Sequence, residues 1–520
     1  MTTAVIVGGG PNGLAAAIHL ARQGVDVQVL EAQGTIGGGA RSGELTMPGV
    51  IHDHCSAFHP MGVGSPFWKE IDLQRYGLTW KWPEIDCAHP LDDGTAGALY
   101  QSIEKTAAGM GTDGTRWRRA VGDLAAGLDD LAQDLLRPVI NIPHHPIRLA
   151  AFGPRAVLPA TVMARWFRTE QARALFGGQA AHAFTRLDRP LTTALGLIFL
   201  ASGHRYGWPV AEGGSGSIIV ALAAALDAHG GTVSTGVTVA SRKDIPAADI
   251  VMLDLSPAAA YAIYGDVMPG RVKRSYRRYR QGSSAFKVDF AIEGDVPWTN
   301  PDCGRAGTVH LGGTFAEIAD TECQRAQGKM AQRPFLLVGQ QYLADPSRSA
   351  GNTNPIWAYA HVPFGYTGDA TAAVVDQIER FAPGFRDRII ATVSTSAAEL
   401  QAYNPNYIGG DIVGGRQRRA AGHPAAADCR QSVRGRRAGR LPVFAVHAAG
   451  SRHPRAVRLS RRRCSAEVAR QVALLTTGHI GSSVHSTHIC RTATTENLAI
   501  RRQKAAKSGD CYRPSNRCHY

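Results

Sequence analysis

Residues 4–31 read AVIVGGGPNGLAAAIHLARQGVDVQVLE, and four patterns follow one another in this stretch. A short β-branched run at residues 4–7 predicts a buried strand, and apolar residues at helical spacing over 14–22 predict a helix. A glycine-rich turn separates them, and a second apolar run at residues 25–30 predicts another strand that ends at Glu31. Strand, Gly-x-Gly-x-x-Gly turn, helix and strand in this order are typical of a Rossmann-type fold that binds a dinucleotide.

The glycines of this turn each have a distinct physical role. Gly8 allows the tight turn, Gly10 removes a Cβ from the path of a pyrophosphate, and Gly13 allows the helix to pack close to the strand. The helix then directs free N–H groups and the positive end of its dipole at the phosphates. We therefore predict a cofactor-binding loop formed by Gly8, Gly10, Pro11, Asn12 and Gly13.

The acid at the end of the second strand is the next candidate. Glu31 lies 18 residues after Gly13, close to the roughly 20 expected for a carboxylate that accepts hydrogen bonds from ribose hydroxyls. A carboxylate at this position also disfavours a 2′-phosphate, which argues against NADP. The motif by itself does not distinguish FAD from NAD.

Two further segments resemble a known family. Residues 31–42, EAQGTIGGGARS, are similar to the acid plus Gly-Gly-x-x-Arg/Ser segment of flavoproteins of the amine oxidase and carotenoid desaturase type. Residues 49–60, GVIHDHCSAFHP, are similar to phytoene dehydrogenase-like proteins. Among these, the segment resembles the type represented by pyridine nucleotide-disulfide oxidoreductase domain-containing protein 2. The resemblance implies FAD as the cofactor, with Gly37, Gly38 and Arg41 along its pyrophosphate.

Three histidines, His52, His54 and His59, lie close together in the second of these segments. Beyond Asp53 and Cys55, no carboxylate or thiol falls at a spacing suited to a metal ligand. The family that the segment resembles uses no metal. We therefore predict no metal site and interpret the segment as a loop that faces the flavin.

The resemblance also implies that the chain returns to the cofactor-binding domain later. Residues 209–217, PVAEGGSGS, resemble the family's Pro-x-Gly-Gly segment and precede a predicted helix at residues 218–228. Residues 232–239 are interpreted as a strand with a turn, in which the resemblance makes Val239 the residue whose backbone lies near adenine. Residues 249–254 match the strand that follows.

The remaining patterns predict a second, mixed domain. Residues 120–131 have the spacing of an amphipathic helix, and residues 192–202 are apolar on all sides, as in a buried helix or an apolar substrate tunnel. Alternation over residues 284–292 and the run at 334–338 indicate strands of an antiparallel sheet, and residues 374–381 indicate a helix.

The fold class that we predict is α/β: a split FAD-binding Rossmann domain interleaved with a mixed α+β substrate domain, followed by a disordered C-terminal region. The predicted boundaries are residues 1–75 and 205–268 for the FAD-binding domain, 76–204 and 269–415 for the substrate domain, and 416–520 for the tail.

The basic charge of the chain is concentrated in this tail. Residues 416–520 hold 22 of the 57 Lys and Arg residues but 4 of the 42 Asp and Glu residues, which leaves a net charge of about −3 for residues 1–415. A body so close to neutrality gives no electrostatic reason to expect a nucleic-acid partner.

The tail also departs from the family pattern. The family continues with Asn-Pro-Tyr, then Pro-Pro-Gly, then His-Gly-x-x-Gly-Tyr, which close the FAD site, and residues 416–520 contain none of these. When the tail is back-translated with G/C-rich codons and read one nucleotide out of frame, it can encode segments that match these family motifs. The segments follow the family's order, and all of them need the same one-nucleotide shift. We interpret the tail as the product of a frameshift near Gly415. The alternative is a genuine basic tail that binds nucleic acid or an anionic membrane.

These observations predict an FAD-dependent oxidoreductase, by resemblance a phytoene dehydrogenase-like dehydrogenase or desaturase that passes a hydride from a largely apolar organic substrate to the flavin. A flavin-binding regulatory protein or an inactive product of a frameshifted gene is one alternative, and an amine oxidase is another. Hydride transfer to a flavin need not use an acid or base, so no catalytic residue is assigned. The electron acceptor and the oligomeric state are not assigned either.

The expected location is the cytoplasm, with peripheral contact with a membrane left open. The first predicted strand begins at about Ala4, which leaves no room for a secretory signal. The longest apolar run of the body, near residues 194–202, is far shorter than the roughly 20 residues of a membrane span. Four sparse cysteines in residues 1–415 favour reduced thiols over a disulfide framework.

Overall fold

The structure, a computed structural model, describes residues 1–136 and 142–415. The disorder and the frameshift predicted for residues 416–520 therefore lie outside the described residues. Within the described residues the chain forms two main sheets, each covered by helices.

Fifteen strands are present in the described residues. Their bounds are β1 Thr3–Val7, β2 Asp26–Leu30, β3 Ser42–Glu44, β4 Ile51–Asp53, β5 Trp80–Lys81, β6 Ile85–Pro90, β7 Ala96–Leu99, β8 Val210–Ala211, β9 Thr232–Ser234, β10 Ile250–Leu253, β11 Ser284–Glu293, β12 Ala306–Leu311, β13 Leu336–Gly339, β14 Thr353–Val362 and β15 Ile389–Thr395.

Seventeen α-helices accompany them in the same residues. Their bounds are α1 Pro11–Ala21, α2 Pro60–Val63, α3 Pro66–Ile71, α4 Ile103–Gly109, α5 Gly114–Trp117, α6 Asp123–Ala126, α7 Leu128–Leu135, α8 Pro146–Ala156, α9 Ala160–Met163, α10 Glu170–Ala181, α11 Thr192–Tyr206, α12 Gly216–Asp227, α13 Pro257–Tyr264, α14 Gly270–Arg277, α15 Phe315–Ala326, α16 Thr371–Glu379 and α17 Ala397–Tyr403.

The first sheet is a four-stranded parallel sheet in the order β10-β1-β2-β9. Ala4 of β1 pairs with Val27 on one side and with Ile250 on the other. Leu14 of α1 and Leu222 of α12 are buried in the apolar core that covers this sheet. Because β1 is paired with β2 on one side and with the distant β10 on the other, the strand order reverses beside β1. A crevice for a ligand is expected at the carboxyl ends of the strands at such a point.

The second sheet has seven strands in the order β15-β11-β14-β13-β12-β6-β7. All neighbouring strands are antiparallel except β12 and β6, which are parallel. The alternating segment at residues 284–292 is confirmed as a strand, β11, and its residues are buried on both faces from Ser284 to Ile292. Phe286 and Phe290 share one apolar core with Ile378 of α16.

Two predicted elements differ from the structure. The prediction of a single helix over residues 120–131 is wrong. Gly127 separates α6 from α7 and adopts φ −105° and ψ 16°. Glycine is a poor residue for a helix interior, so the break falls where the helix is weakest. Over residues 232–239, predicted as a strand with a turn, the turn is confirmed at Gly236, which has a φ of +72°, but the strand is short and ends at Ser234.

Residues 192–202, for which a buried helix and a tunnel segment were both open, belong to α11 and are mostly buried. In the described part of the chain, no helix combines the length and the apolar character needed to cross a membrane. Cys55, Cys87, Cys303 and Cys323 are free thiols.

Candidate functional site

The candidate site begins at the turn between β1 and α1, where the structure has no room for side chains. A Cβ on Gly13 would lie 2.0 Å from the carbonyl oxygen of Gly8, so the helix packs directly on the turn. Gly8 has a φ of +110°, which favours glycine. A Cβ on Gly10 would lie 3.3 Å from Oδ2 of Asp254 and 3.8 Å from the Cα of Gly38, so this side of the turn is closely bounded as well.

The amino end of α1 is prepared for an anion. Gly10 is the residue before the helix and has no side chain to accept from the helix amides, and Pro11 starts the helix without an N–H of its own. Asn12 is buried. The amides of this first turn, together with the helix dipole, form a favourable site for phosphate groups.

Glu31 lies at the other side of the same turn. It is 8% exposed, its Oε2 accepts from the amide of Gly9 at 2.8 Å, and its Oε1 accepts from the amide of Gln33 at 2.9 Å. These two bonds fix the carboxylate beside the glycine turn, and each oxygen retains lone pairs for further donors.

A second glycine loop contacts the first. The amide of Gly37 donates to the carbonyl oxygen of Gly9 at 2.9 Å, and a Cβ on Gly38 would lie 3.2 Å from the Cα of Gly10. Gly37 and Gly38 both have positive φ values, +131° and +55°. The backbone of residues 8–13 and that of residues 37–38, both predicted to bind the cofactor, therefore form one continuous surface.

Arg41 holds this second loop in shape. Its guanidinium donates to three carbonyl oxygens, those of Thr35 at 2.6 Å, Ile36 at 3.2 Å and Gly38 at 3.1 Å. It also lies 3.7 Å from Oε1 of Glu31. The contact of Arg41 with a pyrophosphate stays a prediction; the observed contacts show that the side chain positions the loop.

Asp254 is a residue of this site that the sequence reasoning missed. It follows β10 directly, and its Oδ2 accepts from the amide of Gly13 at 3.0 Å. Burial, with a contribution from the charge of Glu31, raises the pKa of Asp254 to about 6. No local sequence signal marks this role, because Asp254 reaches the sheet edge beside Glu31 only through the pairing of β10 with the distant β1.

A buried group of charges lies where the seven-stranded sheet meets the hairpin of β3 and β4. Lys287 and Asp289 of β11 form an ion pair with at most 5% of either side chain exposed. Oδ1 of Asp289 lies 3.4 Å from Nδ1 of His52 on β4. The sequence alternation predicted β11 but not that its polar face would be buried against the cofactor-binding part.

His54 and Cys55 lie beside this group and next to the second glycine loop. The ring of His54 stacks on Tyr403 with 4.9 Å between centroids, and the hydroxyl of Tyr403 donates to the carbonyl oxygen of Gly38 at 3.1 Å. Burial, and then the charge of Lys287, lower the pKa of His54. Burial raises the pKa of Cys55 to about 11, so the thiol is protonated at neutral pH.

The other histidine and the adenine candidate lie elsewhere. Nε2 of His59 is 2.8 Å from Oγ of Ser215, so the three histidines of the second segment face three different environments. The described residues contain no group of three or more His, Cys, Asp or Glu side chains arranged to hold a metal. Val239 is half-buried and packs against the core formed by Val5 and Leu30. Its contact with adenine stays a prediction.

The segment after β8 returns to the glycine loops as the sequence predicts. Asp53 is fully buried, and its Oδ1 accepts from Oγ of Ser42 and from the amide of Ser215, both at 2.6 Å. Oγ of Ser42 accepts in turn from the amide of Gly216 at 3.0 Å. The amino end of α12 is thereby fixed beside the second loop.

The residues present fit a dinucleotide. The first-turn amides of α1, the glycine turn before them, the buried carboxylate of Glu31 and a second backbone loop lie together at the carboxyl ends of β1 and β2. These are the features that hold the diphosphate and a ribose of such a cofactor.

Comparison with known proteins also indicates a dinucleotide-binding domain. Residues 6–71 match the model of the family described as NAD(P)-binding Rossmann-like domain. The chain is 21% identical over 494 residues to pyridine nucleotide-disulfide oxidoreductase domain-containing protein 2 of Rattus norvegicus, with 76% of this chain and 82% of that protein covered. It is 26% identical over 428 residues to phytoene dehydrogenase of Streptomyces griseus, with 74% and 77% covered. The resemblance stated from the sequence is confirmed.

A solved structure shares the fold. The crystal structure of an oxidoreductase from Methanosarcina mazei superposes with a TM-score of 0.52 at 16% identity and covers 76% of this chain and 88% of that one. The predicted α/β fold, with a Rossmann-like sheet and a large mixed sheet, is confirmed.

Proposed function

We propose that this relative of phytoene dehydrogenase and of pyridine nucleotide-disulfide oxidoreductase domain-containing protein 2 is an FAD-dependent oxidoreductase, a dehydrogenase or desaturase of a largely apolar organic substrate. The observation that carries the proposal is the joint surface of the two glycine loops, in which Gly38 lies against Gly10 beside the amino end of α1. The flavin, when bound, would supply the hydride-accepting chemistry.

The residues that would hold the cofactor form three groups. The diphosphate would lie on the amino end of α1 and along the second loop, a ribose would contact Glu31, and adenine would lie near the backbone of Val239. The first group contains Gly8, Gly10, Pro11, Asn12, Gly13, Gly37, Gly38 and Arg41. A carboxylate at Glu31 suits ribose hydroxyls and repels a 2′-phosphate, which supports FAD over NADP.

The interior of the substrate side supports an apolar substrate. Aromatic side chains fill the space between the seven-stranded sheet and helices α10 and α11; they include Phe184, Phe199, Trp208, Phe335 and Tyr359. The histidines among them are uncharged at neutral pH, because burial lowers the pKa of His182 to about 3 and that of His89 to about 4. Charge in this interior comes from the buried pair of Glu322 and Arg325, with Nδ1 of His361 2.6 Å from Glu322. The aromatic remainder favours apolar groups.

Absorbance of the purified full chain tests the cofactor. We expect an oxidised flavin spectrum, with release of FAD on denaturation. The structure supplies a pair of variants: Gly10→Ala adds a methyl in the path of the diphosphate, 3.3 Å from Oδ2 of Asp254, whereas a Cβ on Gly34 meets nothing within 4 Å. Gly10→Ala should lose the cofactor and Gly34→Ala should keep it. Full occupancy in Gly10→Ala would contradict the proposal.

Anaerobic titration tests the reaction. Bleaching of the flavin by an apolar substrate that carries an oxidisable C–H bond supports a dehydrogenase. Bound FAD that no substrate bleaches favours a regulatory or inactive flavoprotein. In a separate assay with O2 present, release of hydrogen peroxide during oxidation of amines favours an amine oxidase. The location that we propose is the cytoplasm, with peripheral contact with a membrane as the alternative; no nucleic-acid partner is proposed.

A further inference from the structure

Asp254 places a carboxyl group directly over the glycine turn. Its Oδ2 is 3.0 Å from the amide nitrogen of Gly13, and the same oxygen would lie 3.3 Å from a Cβ on either Gly10 or Gly13. The residue retains part of its solvent exposure, so it lies at the surface of the crevice rather than behind it. A diphosphate on the amino end of α1 would meet this carboxyl group.

The charges around Asp254 do not compensate a negative charge there. Glu31, at the end of β2, acts on it with the same sign. Arg41, on the second loop, directs its guanidinium at backbone carbonyls and at Glu31. His19 of α1 pairs with Gln23, and Asp249 at the far end of β10 bonds to Thr3.

We propose that Asp254 couples dinucleotide binding to the uptake of one proton: as an anion it competes with the diphosphate for the amide of Gly13, and as a neutral acid it stays in the site with the dinucleotide bound. This inference rests on the proposed function, since it concerns the same site. The step is a simple protonation, in which the carboxylate takes a proton from the solvent and no other bond changes.

The direction of the pH effect follows from the charges. Burial and Glu31 already raise the pKa of Asp254 to about 6, and an anionic diphosphate raises it further. Between these two pKa values the free site is ionised and the complex is protonated, so the affinity falls by up to about tenfold for each pH increase of one. Below about pH 6 the affinity changes little.

Isothermal titration calorimetry of the cofactor-depleted full chain with FAD measures the proton directly, because the diphosphate of FAD does not titrate near neutral pH. ADP, whose terminal phosphate does titrate there, serves as a smaller probe of affinity alone. Titrations at pH 5.5 to 8.5 in two buffers with different heats of ionisation give the number of protons taken up. We expect a value that approaches one near pH 7.5. Asp254→Asn should abolish the uptake and bind roughly 10- to 100-fold more tightly at pH 8.

Asp249→Asn is the matched control, because it removes a carboxylate from the other end of the same strand. It should keep the wild-type pH dependence. Wild-type binding without proton uptake, or equal affinities of wild type and Asp254→Asn at pH 8, would overturn the inference and leave the proposed function standing. Failure of the wild type to bind either FAD or ADP would overturn both. The wild-type titration in two buffers needs no variant, so it decides the matter even if Asp254→Asn does not fold.

Discussion

Arg348 and Asp53 form an ion pair in which both side chains are fully buried, although 295 residues separate them in the chain. The same guanidinium donates to the carbonyl oxygen of Ala211 at 2.7 Å and to Oδ2 of Asp345 at 3.1 Å. Burial acts to raise the pKa of Asp53, but Arg348 and the hydrogen bonds from Ser42 and Ser215 outweigh it and lower the pKa. One arginine after β13 thus joins the hairpin β3–β4 to β8.

Replacing Arg348 should therefore be costly. Arg348→Met leaves Asp53 buried without its cation, and we expect the free energy of unfolding to fall by about 3–5 kcal/mol, as measured by urea denaturation. The exposed pair of Arg22 and Glu70 provides the control, because Arg22→Ala should cost less than about 1 kcal/mol. The double variant Asp53→Asn, Arg348→Met should recover part of the loss. Equal costs for Arg348→Met and Arg22→Ala would contradict the role assigned to the buried pair.

Asp86 should make the protein less stable as the pH rises. Its Oδ1 accepts from the amide of Trp208 at 2.8 Å, its Oδ2 has no hydrogen-bond partner among the described residues, and burial raises its pKa to about 7. An acid whose pKa is higher in the folded than in the unfolded state destabilises the fold progressively from about pH 4 to pH 7. Asp86→Asn removes this ionisation.

The expected difference is therefore absent at low pH and present at high pH. Asp86→Asn should match the wild type at pH 4 and exceed it at pH 8, by at most on the order of 4 kcal/mol in the free energy of unfolding. Asp93 should have the opposite effect on stability, because hydrogen bonds from Thr95 lower its pKa and its charged form therefore stabilises the fold. Asp93→Asn should be less stable than the wild type at pH 8. A pH-independent difference between Asp86→Asn and wild type would refute the explanation.

Arg41→Lys should weaken cofactor binding without unfolding the protein. A lysine cannot donate to the carbonyl oxygens of Thr35, Ile36 and Gly38 together, so the second glycine loop loses the shape that a cofactor needs. Loss of one to two hydrogen bonds of about 1 kcal/mol each predicts roughly a tenfold higher Kd for FAD, measured by flavin fluorescence. Arg22→Lys, on the exposed face of the same domain, should leave the Kd unchanged.

Sequencing of the coding DNA tests the interpretation of the tail. A second reading frame beginning near the codon of Gly415 should encode Asn-Pro-Tyr, Pro-Pro-Gly and His-Gly-x-x-Gly-Tyr in this order. The frame-restored chain should also bind FAD more tightly than the chain of 520 residues. If the other frame lacks these segments, the tail is a genuine part of the protein.

The opening βαβ unit could be predicted from sequence because its information is local. The glycine spacing, the helical apolar pattern and the terminal acid all lie within residues 4–31, and the structure places β1, α1 and β2 there. The alternating pattern of residues 284–292 likewise predicted β11. Such patterns reflect neighbours in the chain, which one sequence contains in full.

Residues whose role depends on distant neighbours were not predicted. Lys287 and Asp289 occupy the polar face of β11, a face that normally meets water, and only the packing of the hairpin β3–β4 against it shows that it is buried. The position of Asp254 in the site follows only from the pairing of its strand with β1, which the sequence pattern does not show. In both cases the decisive contact joins segments more than 200 residues apart.

The strand order has a consequence for synthesis of the chain. β1 and β2 leave the ribosome together, but the other neighbour of β1, which includes Ile250, follows more than 200 residues later. At about 5–20 residues per second, β1 waits on the order of 10–50 s with one edge unpaired. An unpaired apolar strand is a template for wrong association, so the nascent protein should depend on chaperones during this interval.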